Sequence, residues 1–196
     1  MRDRTLDWYQ KNAEAYIGRT ENTDLSGLYR AFLKHVPPGG RIMDLGCGAG
    51  SAAKYFASMG HPVLAADACP RMCAHARERA GCPVRVMRFD EMDYEDAFDG
   101  IWACASLLHV RKADLPDIFR LIRRALKTGG VLYASFKYGD AERESEGRAY
   151  TDLTEDALLR LMNEAGGFHR IAMWRTSDVL PGRENETWVN ALFRAV

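Results

Sequence analysis

Asp44-Leu45-Gly46-Cys47-Gly48-Ala49-Gly50 is the stretch on which the reading of this chain turns. It follows Arg41-Ile42-Met43, so a short apolar run is stopped by glycine, the pattern of a buried strand that feeds a tight turn. Alternate glycines let the backbone turn sharply and let a ligand lie against main-chain atoms, at the positive end of the helix that follows. Taken alone, the same pattern also serves a strand-to-helix connection that binds nothing, so its surroundings decide.

Upstream, Pro37-Pro38-Gly39-Gly40 ends a helix over 25–36, whose Leu28, Phe32, Leu33 and Val36 recur at helical spacing behind an Asp24/Ser26 start signal. Downstream the pattern alternates: helix 50–59, strand 62–66, helix 70–80, strand 84–89, strand 99–104, helix 114–127 stopped by Thr128-Gly129-Gly130, and strand 131–137. Strands and helices at this spacing predict a parallel α/β sheet with right-handed crossovers and helices on both faces. The last third changes character. Helix 154–165 is followed by two β-like runs, 168–176 and 187–196, separated by Pro181-Gly182. With no helix between them, these runs are expected to pair antiparallel at the sheet edge.

The 196 residues, 47% of them hydrophobic, suffice for one sizeable core and predict a single domain over 1–196. Lys+Arg and Asp+Glu balance at 27 each, which argues against a nucleic-acid or anionic-membrane partner and favours a small or neutral substrate. The N-terminus is polar and no run of eighteen apolar residues occurs, so neither secretion nor membrane insertion is expected. Five cysteines, Cys47, Cys69, Cys73, Cys82 and Cys104, make an odd number in a chain that needs no staples, which points to a reducing, cytoplasmic compartment. Cys69, Cys73 and His75 lack the spacing and the second cluster of a zinc site and read as ordinary side chains; no metal is expected.

Two further acidic positions give the glycine turn its meaning. Asp67 ends the second strand about 20 residues beyond the first glycine, where a carboxylate in a dinucleotide-type fold accepts hydrogen bonds from ribose hydroxyls. Its other reading is an acid at the start of the helix near Pro70. After the third strand, Asp90-Glu91-Met92 offers a carboxylate and an apolar side chain at the same sheet edge, a candidate adenine site.

With these elements in order, the chain resembles the class I S-adenosylmethionine-dependent methyltransferases from about Ile42 to its C-terminus. Asp44 to Gly50 looks like the family's first motif, Asp67 like its ribose-binding acid and Asp90 to Met92 like its adenine-contacting loop. Phe98-Asp99-Gly100-Ile101-Trp102 through Leu107-Leu108-His109 looks like the fourth-strand motif. Leu126-Lys127-Thr128-Gly129-Gly130-Val131-Leu132 matches the run before the fifth strand, with Thr128 where the family has proline. The resemblance implies a Rossmann-like three-layer sandwich with a seven-stranded, mostly parallel sheet and an antiparallel C-terminal hairpin. It divides the chain into a helical cap over 1–38, a cofactor-binding half over 41–137 and a substrate-side loop and hairpin over 138–196. The compact length and the Tyr9/Tyr16 segment look most like small-molecule methyltransferases, including the tellurite-resistance type. The implied cofactor is S-adenosylmethionine, with S-adenosylhomocysteine as product. Gly46, Gly48 and Gly50 would pass its methionine portion, Asp44 would lie near its ammonium group, and Asp67 would hold the ribose. Ala68, Asp90, Glu91, Met92 and Cys104 complete the implied cofactor set.

Two rivals remain at the level of sequence. A nicotinamide-dependent oxidoreductase is suggested by Gly48, Gly50 and Ala53, a shifted form of the dinucleotide fingerprint, but Asp44 and the terminal hairpin speak against it. A nucleoside-binding module without catalysis is the other. For methyl transfer, the expected partner is a small-molecule acceptor, and the chain is expected to be a monomer or a homodimer, the terminal hairpin edge leaving the latter open. Acceptor-side candidates are Trp8, Tyr9 and Tyr16 in a capping N-terminal segment, Ser106 and His109 after the fourth strand, and Lys137 and Tyr138 after the fifth. Tyr16 and His109 are the catalytic candidates, His109 as a base near neutral pH or as a helix-start residue. Within the polar run 139–150, the charged stretch 140–148 reads as a solvated loop or as a lid whose Arg143 and Arg148 orient an anionic acceptor. Trp174, Arg175 and Trp188 read as a wall of the acceptor site or as packing on the sheet. Met87, Met92 and Met162 read as core.

Overall fold

The computed structural model describes residues 3–196. Its first strand, β1 (Ile42–Leu45), is buried along its whole length, and its side chains alternate between two cores. Met43 and Leu45 face one core and Ile42 the other, as the two-residue period of a strand requires. Around β1 the chain winds a seven-stranded sheet from β2 (Val63–Asp67), β3 (Val84–Val86), β4 (Phe98–Ala103), β5 (Leu126–Lys137), β8 (Phe168–Ser177) and β9 (Thr187–Ala195). Its strand order is β3-β2-β1-β4-β5-β9-β8. The first five strands are parallel, and β9 lies antiparallel between β5 and β8. The expected terminal hairpin is therefore present, and the sheet order reverses between β1 and β4, the place where open α/β sheets bind ligands.

Helices cover both faces. On one side α2 (Ser26–Leu33), α3 (Ser51–Ser58) and α4 (Pro70–Arg79) pack Tyr29, Phe32, Phe56 and Ala76 against Ile42, Ala65 and a Trp102/Tyr133 pair stacked at 3.9 Å. On the other, α5 (Leu115–Ala125) and α6 (Glu155–Ala165) bury Ile118, Phe119, Ile122, Leu158 and Met162. Each such side chain contributes about 1.5–3 kcal/mol of apolar burial. Thr154 caps α6 by accepting the Ala157 N–H at 3.2 Å. Met87, Met92 and Met162 all lie in this second core, as expected.

The N-terminal helix α1 (Asp3–Thr20) packs its Ala13 and Ile17 on Cys69 and Met72 at the start of α4. It bends at Asn12, whose φ of −113° leaves the helical region while its side chain donates to the Trp8 carbonyl at 2.8 Å. A side chain that competes for a helix carbonyl is a physical cause of such a bend.

Three elements differ from expectation. The helix expected over 114–127 ends at Ala125, and Thr128-Gly129-Gly130 lies inside β5 as an irregularity between the Phe98↔Leu126 and Gly100↔Val131 pairs. The strand expected over 84–89 stops at Val86, and Phe89–Glu91 forms a 3₁₀ turn closed by the Glu91 carboxylate, which accepts the Arg88 N–H at 2.8 Å. The run 139–150 is not a solvated loop: β6 (Glu142–Ser145) and β7 (Arg148–Thr151) form a hairpin whose second strand is buried. Glu146 and Gly147, with φ of 51° and 77°, make the two-residue turn. Thr5 Oγ1 accepts the Ala149 N–H at 2.9 Å and Thr151 Oγ1 donates to the Val110 carbonyl at 2.6 Å, which ties the hairpin to α1 and to the segment after β4.

Candidate active site

At the carboxyl ends of β1, β2 and β4 the structure opens a cavity of about 590 Å³. The glycine turn forms its floor. A Cβ on Gly46 would stand 2.3 Å from the Ser106 Cβ, and its φ is 80°, so only glycine fits there. Gly48, with φ of 51°, has open space where its Cβ would be, so a ligand can lie directly on its main chain. Gly50 does not line the cavity; it begins α3 in a left-handed conformation and packs closely on Ala76.

Two carboxylates stand at this end. Asp44 is 2% exposed and accepts the Ala53 N–H of α3 at 3.0 Å. Burial pushes its carboxyl up to about 7, against that hydrogen bond and with the neighbouring Asp67 adding to the rise. Asp67 accepts from the Gly48 N–H at 3.0 Å through one oxygen and from the Cys69 N–H at 2.8 Å through the other. Burial raises its pKa as well, opposed by the backbone N–H groups it accepts from. Asp67 steadies the start of α4, and each of its oxygens keeps a lone pair for a further donor. A buried acid, Asp44, and a half-buried one, Asp67, with no cation paired to either among the described residues, fit a ligand with a cationic group and vicinal hydroxyls. Ala68 and Cys104 line the same end, with the Cys104 thiol raised to about 11 by burial.

The proposed adenine-side residues are placed otherwise. Asp90 is exposed and paired with Arg88 at 3.2 Å, Glu91 closes the 3₁₀ turn, and Met92 is 2% exposed in the core. Phe89 is the residue of this segment that lines the cavity. Its apolar ring one residue before Asp90 was the available signal, and the expectation for Asp90, Glu91 and Met92 does not match where they lie.

The far end of the cavity is aromatic and cationic. Tyr9 stands edge-on to Tyr16 at 5.1 Å and to Trp8 at 5.2 Å, and both tyrosines line the cavity. His109 is held on both nitrogens. Its Nδ1–H donates to the Ala149 carbonyl at 2.7 Å, so Nε2 is the acceptor and takes the Tyr9 hydroxyl at 3.0 Å. Burial brings its imidazole down to about 4, the Arg148 charge adding to the shift. Held this way, His109 has no free lone pair for an acceptor proton; it locks β7 and Tyr9 in place. Burial likewise keeps the Tyr9 and Tyr16 phenols protonated, Tyr16 adding to the effect on Tyr9 and Arg148 opposing it in both. Ser106 is also structural, donating to the Leu45 carbonyl at 2.8 Å beneath Gly46.

Trp174 and Trp188 line the cavity, Trp188 donating to Asp178 at 3.0 Å. Arg175 turns away, pairing with Glu155 at 2.5 Å beside the Tyr138 ring. Arg143 pairs with Asp152 at 2.6 Å and faces a second, polar cavity of about 450 Å³. Sequence reasoning missed Leu25, Leu28 and Tyr29 of the α2 end, and Asp178, Leu180 and Arg183 of the turn between β8 and β9, all of which line the main cavity. The Pro181-Gly182 turn between the two terminal strands was the signal for the latter.

Among the described residues no helix is long and apolar enough to cross a membrane.

A family model described as a methyltransferase domain matches residues 42–130. The malonyl-[acyl-carrier protein] O-methyltransferase of Erwinia pyrifoliae is 30% identical over 145 residues, 69% of this chain and 54% of that protein. The chain spans from about a third to just over half of the length of the curated relatives it matches. Among solved structures, the 1,6-didemethyltoxoflavin-N1-methyltransferase of Burkholderia thailandensis superposes with a TM-score of 0.77 at 21% identity, over 97% of this chain and 85% of that one. A TehB-like S-adenosylmethionine-dependent methyltransferase of Corynebacterium glutamicum gives 0.71 at 20% identity, over 95% and 99%. With a glycine turn and paired acids that fit S-adenosylmethionine as cofactor, the chain belongs to the class I S-adenosylmethionine-dependent methyltransferase superfamily.

Proposed function

We propose that this protein transfers a methyl group from S-adenosylmethionine to a small-molecule acceptor by in-line displacement. The observation that carries the proposal is one continuous cavity that joins the acid-lined glycine turn to an aromatic end bounded by Tyr9, Tyr16 and Trp188. S-adenosylmethionine supplies a methyl group already activated on a sulfonium, so the protein needs no covalent intermediate and contributes chiefly alignment and exclusion of water.

On this reading Gly46 and Gly48 leave the main chain bare for the cofactor, Asp44 faces its cationic end and Asp67 takes its hydroxyls. Helix α1 roofs the site, with Tyr16 beside the acceptor and Tyr9 fixed by His109. Among the described residues at the aromatic end, His109 and both phenols hold their protons where they are, and Asp178 is engaged by Trp188 and the Leu180 N–H. An acceptor that arrives deprotonated, or that loses its proton to water after transfer, suits such a site. Five free thiols fit a reducing compartment, and we place the protein in the cytoplasm.

The test is production of S-adenosylhomocysteine from S-adenosylmethionine across a panel of small nucleophiles. Acceptor-dependent turnover supports the proposal. Tight S-adenosylhomocysteine binding without turnover of any panel member favours a binding module instead.

A further inference from the structure

Three cations, Lys137, Arg148 and Arg183, together with Tyr150, form the wall shared by the aromatic end of the main cavity and the second, polar cavity. At that end the main cavity has Asp178 as its acid, and Asp178 already accepts from Trp188 Nε1 at 3.0 Å and from the Leu180 N–H at 2.9 Å. In the polar cavity Lys137, Arg143, Arg148 and Arg183 face Glu146, Asp152 and Glu186, four cations against three acids. Glu186 is shared between Lys137 and Arg183. Across the two cavities these four cations are matched by four acids, Asp178 included, each already engaged by a cation or an N–H donor.

Within this wall Arg148 is the cation with a donor left over. It is 4% exposed, and its Nε is a buried donor with no partner among the described residues. Its Nη2 pairs with Glu146 at 2.7 Å, while the guanidinium lies 4.0 Å from the Trp8 ring centre and 5.4 Å from that of Tyr150. Rings on the guanidinium fix its plane, and a planar fork with an idle N–H is suited to a carboxylate or phosphate.

We propose that the methyl acceptor carries an oxyanion, a carboxylate or a phosphate, bound by Arg148 with Lys137 and Arg183, and an aromatic or other flat body that lies toward Tyr16. This rests on the methyltransferase reading, which assigns the glycine-turn end of the cavity to the cofactor. Arg148 then sets the acceptor's orientation from the end opposite the transferring methyl.

The test uses the full chain saturated with S-adenosylhomocysteine, titrated with benzoate, phenyl phosphate and neutral benzyl alcohol while tryptophan fluorescence reports on Trp8, Trp174 and Trp188. At least one anion is expected to bind about tenfold or more tighter than benzyl alcohol, with benzoate against phenyl phosphate telling carboxylate from phosphate. Arg148→Met is expected to erase the preference while S-adenosylhomocysteine affinity stays within about twofold. Equal affinity for the anions and the alcohol, no binding of either anion up to about 10 mM, or a preference intact in Arg148→Met overturns the proposal. Should Arg148→Met fail to fold, Arg183→Gln decides: a preference cut by about threefold or more supports it, and an unchanged preference overturns it. Failure of S-adenosylhomocysteine itself to bind overturns the underlying methyltransferase reading instead, so the two failures are told apart in one experiment.

Discussion

Raising the pH from about 6 to about 8 is expected to tighten S-adenosylhomocysteine binding by about tenfold, through Asp44. Burial puts the Asp44 carboxyl at about 7 in the ligand-free protein, with Asp67 nearby raising it further and the Ala53 N–H opposing. A carboxyl with that pKa is about nine-tenths protonated one unit below it and about nine-tenths ionised one unit above. A ligand whose ammonium group meets the ionised form binds in proportion to the ionised fraction, which gives about tenfold, or about 1.4 kcal/mol, across the interval. Asp67, raised by the same burial, acts in the same direction. The proton lost from Asp44 is measurable: calorimetric titrations below pH 7 in two buffers of different ionisation enthalpy should give different binding enthalpies. Asp44→Asn should flatten the pH dependence and remove most of the buffer difference. The linked effect on stability has a fixed sign. The folded, ligand-free protein holds this proton more tightly than the unfolded chain, so its stability falls as pH rises from about 4 to about 7, and bound ligand offsets the loss. Equal affinities at the two pH values, or a pH slope that is undiminished in Asp44→Asn, would refute the reasoning.

Other perturbations separate roles at single positions. Asp67→Ala should lower cofactor affinity by about 1.5–3 kcal/mol and also lower the melting temperature of the ligand-free protein, because the Gly48 and Cys69 N–H groups lose their acceptor; a change in one property alone would restore one of the two original readings of that residue. Gly46→Ala places a Cβ 2.3 Å from Ser106 at a φ of 80° and should destabilise the fold by about 2–4 kcal/mol, read by denaturant unfolding; a loss under about 1 kcal/mol would show that the turn relaxes easily. Tyr16→Phe keeps the ring against Trp8 and Tyr9, so affinity for S-adenosylhomocysteine and melting temperature should hold while turnover drops by at least about tenfold; unchanged turnover assigns Tyr16 to packing.

The sheet was legible in the sequence because its signals are local. Glycine after the apolar run 42–45 marks the first turn from strand to helix, and the absence of a helix between 168–176 and 187–196 dictates the antiparallel edge. The acid-lined end of the cavity was legible for the same reason, since Asp44, Gly46, Gly48 and Asp67 each sit near a strand end that the alternation locates. The aromatic end was not, because it is assembled from distant segments. His109 offers the same letter to the reader whether its lone pair is free or taken, and only the fold brings the Tyr9 hydroxyl and the Ala149 carbonyl to its two nitrogens. The run 139–150 looked solvated because charge dominates it, yet Arg148 is buried on Trp8, where its long stem and planar head pack as an aromatic neighbour would. The Glu146-Gly147 pair between two short runs was a hairpin signal outweighed by that charge.

The most direct test of the central claim is calorimetric titration of the purified protein with S-adenosylmethionine, S-adenosylhomocysteine, NAD and NADP. The account predicts binding of both S-adenosyl compounds, with Asp44→Asn and Asp67→Ala weakening it, and no binding of either dinucleotide. Binding of NAD or NADP without S-adenosylhomocysteine would contradict it.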